Sequence, residues 1–591
     1  MDEGLRAPAL VPGSQRVKSA KSIGVGMGNW LSQALLDTLD ITTMKARAAH
    51  KRWSLPSDNY PRRSAACKAA YCVVLASCLL NSGAPALAQT SGCPVRLAAD
   101  GVVRNPAGLS SANGVLRAAL TLRSQKMHEQ ALHECYVYQS ASGPLESPTL
   151  RLNPGDRLEL VLTNRATYVP PGPPNLIAGH NHEGETPPGA CSSGGMSATS
   201  TNLHFHGLSI PPKCHQDDVL TTSIANIAVP FEYRFEVPAN ASPGLYWYHP
   251  HLHGFSTLQV NGGAAGALIV SGMEKVKPDV AGLPERVLII RQEFKDADSW
   301  LPGPNRLTVN FQPAIYPRRR SPVIQMKPGA KEFWRIANAA SQAFLALQLV
   351  YDGVPQELTL IALDGVPVRR SVQLRTIELP PAGRAEFIVT GPTDGQAASF
   401  RQAGFATGPI GPLNPPRELA RIVAVSDATV PPAAPGGTAP PYKRPAGGRV
   451  TARRGFYFAE AANGTNGPTR FFLVAEGTTP TVFDPAAPPA VITTVGAVED
   501  WTIANHTGEV HAFHVHQIHF LFLEVNGASS PGPEWRDTVI LPAWDGAGPY
   551  PTVKLRLDFR DPSIAGVFPF HCHILDHEDA GMMATVQVNP K

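Results

Sequence analysis

One short pattern occurs three times in this chain at domain-sized intervals, and any fold proposed for the chain has to accommodate it. The copies read PGDRLELVLTN from Pro154 to Asn164, PGAKEFWRIAN from Pro328 to Asn338, and VGAVEDWTIAN from Val495 to Asn505. In each, a glycine precedes an asparagine by nine positions, at 155 and 164, 329 and 338, 496 and 505. The glycine turn opens a strand and the asparagine closes it. Offsets of 174 and 167 residues between copies are those of whole domains rather than of solenoid repeats. A chain of 591 residues has room for three such units.

The local patterning is that of strands. Val553, Leu555, Leu557 and Phe559 alternate with Lys554, Arg556, Asp558 and Arg560, the signature of a strand with one face on a core. Tyr233–Val237 and Leu158–Leu162 read the same way. The 58 prolines and 52 glycines suit many short strands joined by turns, and no long stretch keeps a helical period. The expectation is an all-β protein of three consecutive sandwich domains. Their bounds are 89–272, 285–425 and 450–591. The first linker falls near 273–284. The second spans 426–449 around the Pro-rich run 430–446.

Residues 1–88 read as a leader. Arg62, Arg63 and Lys68 precede the apolar run Ala69 to Leu80, and the small-residue triplet Ala86-Leu87-Ala88 follows. That order is a signal peptide cut after Ala88, and the run is too short to span a bilayer stably. The Arg-Arg pair loosely matches twin-arginine export, and Met44 is an alternative start. Periplasmic or secreted location follows, with no stable membrane span. A formal charge of +4, partly in the leader, gives no support to nucleic-acid binding. Beyond the cut stand Cys93, Cys135, Cys191, Cys214 and Cys572. An oxidising compartment favours disulfides. The favoured pairings are 191–214, bracing the loop around the first histidine motif, and 93–135.

The histidines are unevenly placed. None of the 19 lies between His253 and His506, so the middle third has no imidazole. His-x-His pairs occur six times, at 180/182, 204/206, 249/251, 251/253, 514/516 and 571/573, where chance gives roughly 0.6. Residues i and i+2 of a strand share a face, so each pair presents two rings side by side. One pair alone is an ordinary surface feature. Pairs concentrated in the two terminal domains point to a metal cluster at the interface of those domains, although imidazole by itself does not name the metal.

Cys572 narrows the choice. In HCHILDHEDAGMM, 571–583, a thiolate, an imidazole five residues on and a thioether ten residues on can wrap one ion. With His511 added, this is the blue-copper donor set of two His, one Cys and a weak axial Met. Alternation puts Cys572 on one face of its strand and His571 with His573 on the other. One tripeptide thus joins a blue copper to a histidine-bound cluster.

The segments HFHG (204–207), WYHPHLHG (247–254), HAFHVH (511–516) and HCHILDHEDAGMM (571–583) resemble the four copper motifs of the multicopper oxidases. That family includes laccases, bilirubin oxidases and cuprous oxidases. The resemblance implies three consecutive cupredoxin-like Greek-key domains and four copper ions. It implies a type 1 copper on His511, Cys572 and His577 with Met582 axial, Met583 being less suited by spacing. It places the type 2 copper on His204 and His514. The type 3 pair falls on His206, His249, His251, His516, His571 and His573. His253 and His519 fall outside the pattern, as do His180 and His182. Asp217, with Asp218 as fallback, and Glu578 resemble the family's proton-relay acids.

The implied activity is laccase-like: single electrons taken from a small reducing substrate, with dioxygen reduced to water. An axial Met keeps the type 1 potential modest, which favours phenols and aromatic amines as substrates. A metal-ion oxidase for Cu(I), Mn(II) or Fe(II) is the alternative. The chain has only nine Met, with none between Met326 and Met582, so no Met-rich Cu(I) entry segment is evident. A copper nitrite reductase would lack both the HCH bridge and the third domain. A copper-free structural scaffold conflicts with the complete ligand set. A monomer is expected, because three covalently joined domains can build the site alone.

Overall fold

The computed structural model describes residues 92–591 apart from 95, 97–100, 129–130, 168–188, 193–194, 227–228, 295–304, 315–320, 439–441, 443–446 and 463–468. The leader with its cleavage position, Met44, and the pair His180/His182 lie outside the described residues.

Six sheets form three sandwiches in chain order. In each, the strand carrying the repeated motif runs parallel to the first long strand of its unit. Arg157–Arg165 lies beside Val115–His128, Lys331–Ala339 beside Glu285–Phe294, and Val498–Asn505 beside Ala452–Ala461. Each motif strand has an antiparallel neighbour on its other side: Phe231–Glu236, Arg384–Thr390 or Thr552–Asp558. The facing sheets repeat the arrangement with the parallel pairs Thr149–Leu152/Gly266–Val270, Val323–Met326/Arg417–Ala424 and Val491–Thr494/Met583–Asn589. Parallel neighbours cannot be joined by a hairpin, so the chain crosses from sheet to sheet. The fold class is the expected one: all-β, cupredoxin-like sandwiches.

Alternation sets what each strand buries. Leu158, Leu160 and Leu162 face the first core, and Val553, Leu555 and Leu557 the third. Trp334, Ile336 and Phe387 lie in the middle core. Helices among the described residues are short: Ser256–Gly262, Met273–Val276 and Leu575–Asp579. None is long and apolar enough to cross a membrane. Both favoured disulfides form, Cys93–Cys135 and Cys191–Cys214.

The structure explains why the repeat ends on asparagine. Each Asn is fully buried, and its amide ties off the loop that follows its strand. Asn164 donates to the carbonyls of Thr199 and Ile224, Asn338 to those of Ala343, Leu379 and Pro380, and Asn505 to those of Glu509 and Pro542. Each Oδ1 accepts the backbone N–H two residues on, from Ala166, Ala340 or Thr507. Only a primary amide offers donors and an acceptor together in that space. The glycine opening each motif has positive φ: 87° at Gly155, 63° at Gly329 and 103° at Gly496.

The units are packed against one another. Trp247, Ala267 and Ile269 of the first meet Val287, Ile289 and Ala339 of the second in an apolar cluster. The first and third meet at helix Ser256–Gly262, where the Asp579 carboxylate accepts the N–H groups of Ser256 and Thr257. The carboxylate thereby satisfies two first-turn donors that the helix leaves unpaired. This contact brings the two histidine-bearing units face to face.

Replacing Asn338 by Ala removes three bonds donated to the Ala343, Leu379 and Pro380 carbonyls, and about 1–3 kcal/mol of stability should be lost in denaturant unfolding. Asn338→Asp should not rescue it, because a carboxylate has no N–H to donate. A loss under about 0.5 kcal/mol for Asn338→Ala would show that the knot does not hold the loop.

Candidate metal centre

The strand His204–His206 lies antiparallel to Gly244–His249, which sets His204 opposite His249. In the third unit, His511–Val515 runs antiparallel to Gly566–Cys572, pairing His514 with His571 and Phe513 with Cys572. The two sets of rings interleave across the interface. His204 stacks on His516 at 3.9 Å and His206 on His514 at 4.0 Å between ring centroids.

Eight imidazoles converge there, and their ring nitrogens sort into inward and outward sets. Five of the outward nitrogens have partners. His204 Nδ1 meets Asp217 at 3.0 Å, His249 Nδ1 the Pro250 carbonyl at 2.9 Å, His514 Nδ1 the Asp537 carbonyl at 2.7 Å, and His571 Nδ1 the Cys572 carbonyl at 2.9 Å. His206 is reversed, with Nε2 on Asp537 Oδ1 at 3.2 Å. Most inward nitrogens have none: His204 Nε2, His206 Nδ1, His249 Nε2 and His514 Nε2 are buried without a hydrogen-bond partner, as are His516 Nδ1 and both nitrogens of His573. The Nε2 atoms of His251, His516 and His571 face one another at 3.1–3.3 Å. Nitrogens bound about 2.0–2.1 Å from a shared ion sit roughly 3.3 Å apart, so this triangle has the dimensions of a metal site.

Burial is the largest influence on seven of these rings and keeps them neutral. It brings His249 down to about 3 and His251 to about 4, and holds His204, His206, His514, His516 and His573 well below the usual value. Neutral imidazole with a free lone pair is the form in which histidine binds a metal ion. The unpartnered buried nitrogens fit the implied copper and would otherwise be a large uncompensated cost.

The second group lies on the other face of the same strand. Cys572 Sγ is 3.5 Å from His511 Nδ1 and 3.9 Å from His577 Nδ1, and the two nitrogens are 3.3 Å apart. Met582 is buried; its N–H donates to the His577 carbonyl and its own carbonyl accepts the Cys572 N–H. His511 is steadied through Nε2 by Thr507 Oγ1 at 2.7 Å, and His577 through Nε2 by Glu509 at 3.3 Å. Phe471 stacks on His577 at 4.1 Å. Burial pushes the Cys572 thiol up to about 12, so a cation is needed to hold it as thiolate. His571 and His573 lie 5.4 Å apart on the cluster side.

The acids divide clearly. Asp217 grips His204 and the Phe205 N–H, whereas Asp218 turns to Thr221. Cys214, held by its disulfide, sits three residues before Asp217. Glu578 contacts His571 Nδ1 at 3.1 Å, His251 at 3.6 Å and Ser256 Oγ at 3.1 Å. His253 packs edge-on against Phe483. His519 touches the Asp364 carbonyl and the Asp537 carboxylate, outside the ring of inward nitrogens.

Sequence reading missed Asp537, Gln517, Thr507 and Glu509. Gln517 carries a signal visible only in the backbone: φ is +58° in a buried non-glycine residue. That conformation costs about 1 kcal/mol. Its amide donates to Asp217 Oδ2 at 2.6 Å and so sets the acid that steadies His204.

Models of the multicopper oxidase family match residues 196–275, 286–403 and 459–591, together more than half of the chain. A laccase of Haloferax volcanii is 25% identical over 81% of this chain and 82% of that protein. A multicopper oxidase of Staphylococcus aureus is 24% identical over 76% and 83%. Among solved structures, the McoA multicopper oxidase of Aquifex aeolicus superposes with a TM-score of 0.60 at 18% identity, covering 83% of this chain and 99% of that one. A Campylobacter jejuni multicopper oxidase described as a metallo-oxidase gives 0.57 at 22% identity, over 84% and 95%.

The close donor sets are 511/572/577, 251/516/571, 204/206/249 and 204/514/516, the last three sharing His204 and His516 within one cluster. Copper titration of the metal-free protein should saturate at four equivalents per chain, one for each group. Cys572→Ser should saturate at three and lose the intense blue absorption. Wild-type saturation at one or two equivalents would contradict the grouping.

Proposed function

We propose, because the chain belongs to the multicopper oxidase family, that His511, Cys572 and His577 with Met582 hold a type 1 copper and that the eight clustered histidines hold the type 2 and type 3 ions. The protein is a copper-dependent oxidoreductase that couples oxidation of a reducing substrate to reduction of dioxygen. The observation that carries the residue roles is the position of Cys572. Its thiol meets two imidazoles on one side, while the residues flanking it in the chain enter the histidine cluster on the other.

Copper bound there supplies one-electron acceptance at the thiolate and, at the cluster, four-electron reduction of dioxygen to two waters. The protein supplies the rest. The His571-Cys572-His573 backbone is an unbroken covalent link between the two sites. Asp217 holds His204 with Nε2 inward and is itself held by Gln517. Glu578, against His571, His251 and Ser256, is placed to pass protons to the cluster side. The His577 ring reaches the surface at only 7% exposure, between the Phe471 face and the Glu509 carboxylate. An apolar face beside an acceptor suits a phenol or aromatic amine, which sheds a proton as it loses an electron. The axial Met582 supports the same easily oxidised class.

Two disulfides within the first unit support an exported protein cut near Ala88. Both halves of the cluster come from one chain, which supports function as a monomer.

Glu578→Gln should keep the blue absorption and the copper content while oxygen consumption with a phenolic substrate falls by about 10–100-fold. Unchanged oxygen consumption would remove Glu578 from proton delivery. Faster turnover of Cu(I), Fe(II) or Mn(II) than of any phenol or aromatic amine would overturn the substrate class.

A further inference from the structure

The middle unit contributes no imidazole, yet one of its side chains reaches the histidine cluster. Arg384 opens the strand Arg384–Thr390 and is fully buried. Its Nη1 and Nη2 donate to Asp537 of the third unit, 2.7 Å to Oδ1 and 2.5 Å to Oδ2, in a two-pronged pair. Its Nε donates to the Leu245 carbonyl of the first unit, in the strand that ends on His249. Glu386, two residues on, accepts the Leu245 N–H at 2.8 Å. One guanidinium therefore joins all three units at the edge of the cluster.

Asp537 touches two of the clustered rings. Its carboxylate faces His206 Nε2, and its backbone carbonyl accepts His514 Nδ1–H. A proton held on one ring nitrogen leaves the lone pair on the other, so these contacts set which nitrogen each ring turns inward. His514 turns Nε2 inward, as His204 and His249 do, whereas His206 turns Nδ1 inward. The exception is the ring whose Nε2 faces the Arg384-held carboxylate.

We propose that Arg384 is a positioning residue for the oxygen-reducing cluster: it fixes the Asp537 carboxylate that gives His206 its reversed orientation. The inference rests on the ligand reading above. A buried ion pair is poor value as stabilisation, since an apolar pair of similar volume often does as well, so its presence here argues for position. A flat fork fixes a carboxylate in two dimensions, which the single ammonium of lysine does not. Gly207, last residue of HFHG, fits the same purpose. Its φ is +90°, and a Cβ there would come 2.6 Å from both Arg384 Nη2 and Asp537 Oδ2. The glycine beside His206 leaves the space in which the clamp lies.

The test compares copper-loaded wild type with Arg384→Lys and Arg384→Met. Copper content, the blue absorption, the paramagnetic spectrum of the type 2 ion, and kcat and KM for a phenol are measured in each. Nitrogen-15 shifts of histidine in the metal-free proteins report the His206 tautomer without copper. The expected result is an unchanged blue site and unchanged KM, since the bonds of Arg384 and Asp537 run to His206 and His514 and not to Cys572 or His577. The type 2 spectrum should change, the His206 tautomers should mix, and kcat should fall about 10–100-fold. Arg384→Lys keeps charge and most of the volume, so it carries the test if Arg384→Met does not fold. Wild-type spectra, tautomer and kcat in folded Arg384→Lys would overturn the proposal alone. Wild-type protein that takes up no copper would remove the ligand reading and this inference with it.

Discussion

Everything in this structure is arranged around lone pairs that the protein itself does not satisfy. Eight imidazoles are packed out of contact with solvent, and seven of their ring nitrogens find no hydrogen bond. Buried polar atoms are normally paired, so such a concentration is a large cost unless a cation lies among them. The outward nitrogens of five rings show that the packing is ordered rather than careless, for each of these has a carboxylate or carbonyl that fixes its tautomer. The thiol of Cys572 makes the same demand, since burial keeps it protonated until a metal claims it.

Three copies of one sandwich meet that demand economically. Each copy has its own apolar core and its own buried asparagine, which leaves the sheet ends to carry chemistry. The first and third copies supply the rings, and the period of two along a strand lets one tripeptide face both metal groups. The middle copy supplies rigidity: its strand Arg384–Thr390 grips Leu245 from one side and Asp537 from the other. The cap that Asp579 places on helix Ser256–Gly262 closes the interface beside Glu578.

Much of this was legible in the sequence because it is local or periodic. The Gly–Asn motif marked the units, alternation placed Leu158, Leu160 and Leu162 in the core, and His571-Cys572-His573 showed its two faces. The choice of Asp217 over Asp218 is explained by the loop that Cys214 anchors. The supporting residues were not legible. Asp537 lies 331 positions from His206, and Arg384 lies 153 from Asp537. Gln517 is 300 positions from the acid it steadies. No spacing rule links residues that meet only through the packing of separate units. Gln517 would stand out only once its left-handed backbone was known.

The central claim is that one strand separates a thiolate-bound ion from a histidine-bound group of ions. Anomalous diffraction at the copper absorption edge, from crystals of the copper-loaded protein, tests it directly. The account predicts one peak bonded to Cys572 Sγ and to Nδ1 of His511 and His577, and a separate cluster of three peaks enclosed by the eight histidines, with Nδ1 of His206 as its ligand atom. A cluster with fewer peaks, or copper bound by His253 or His519 in place of those rings, would contradict it.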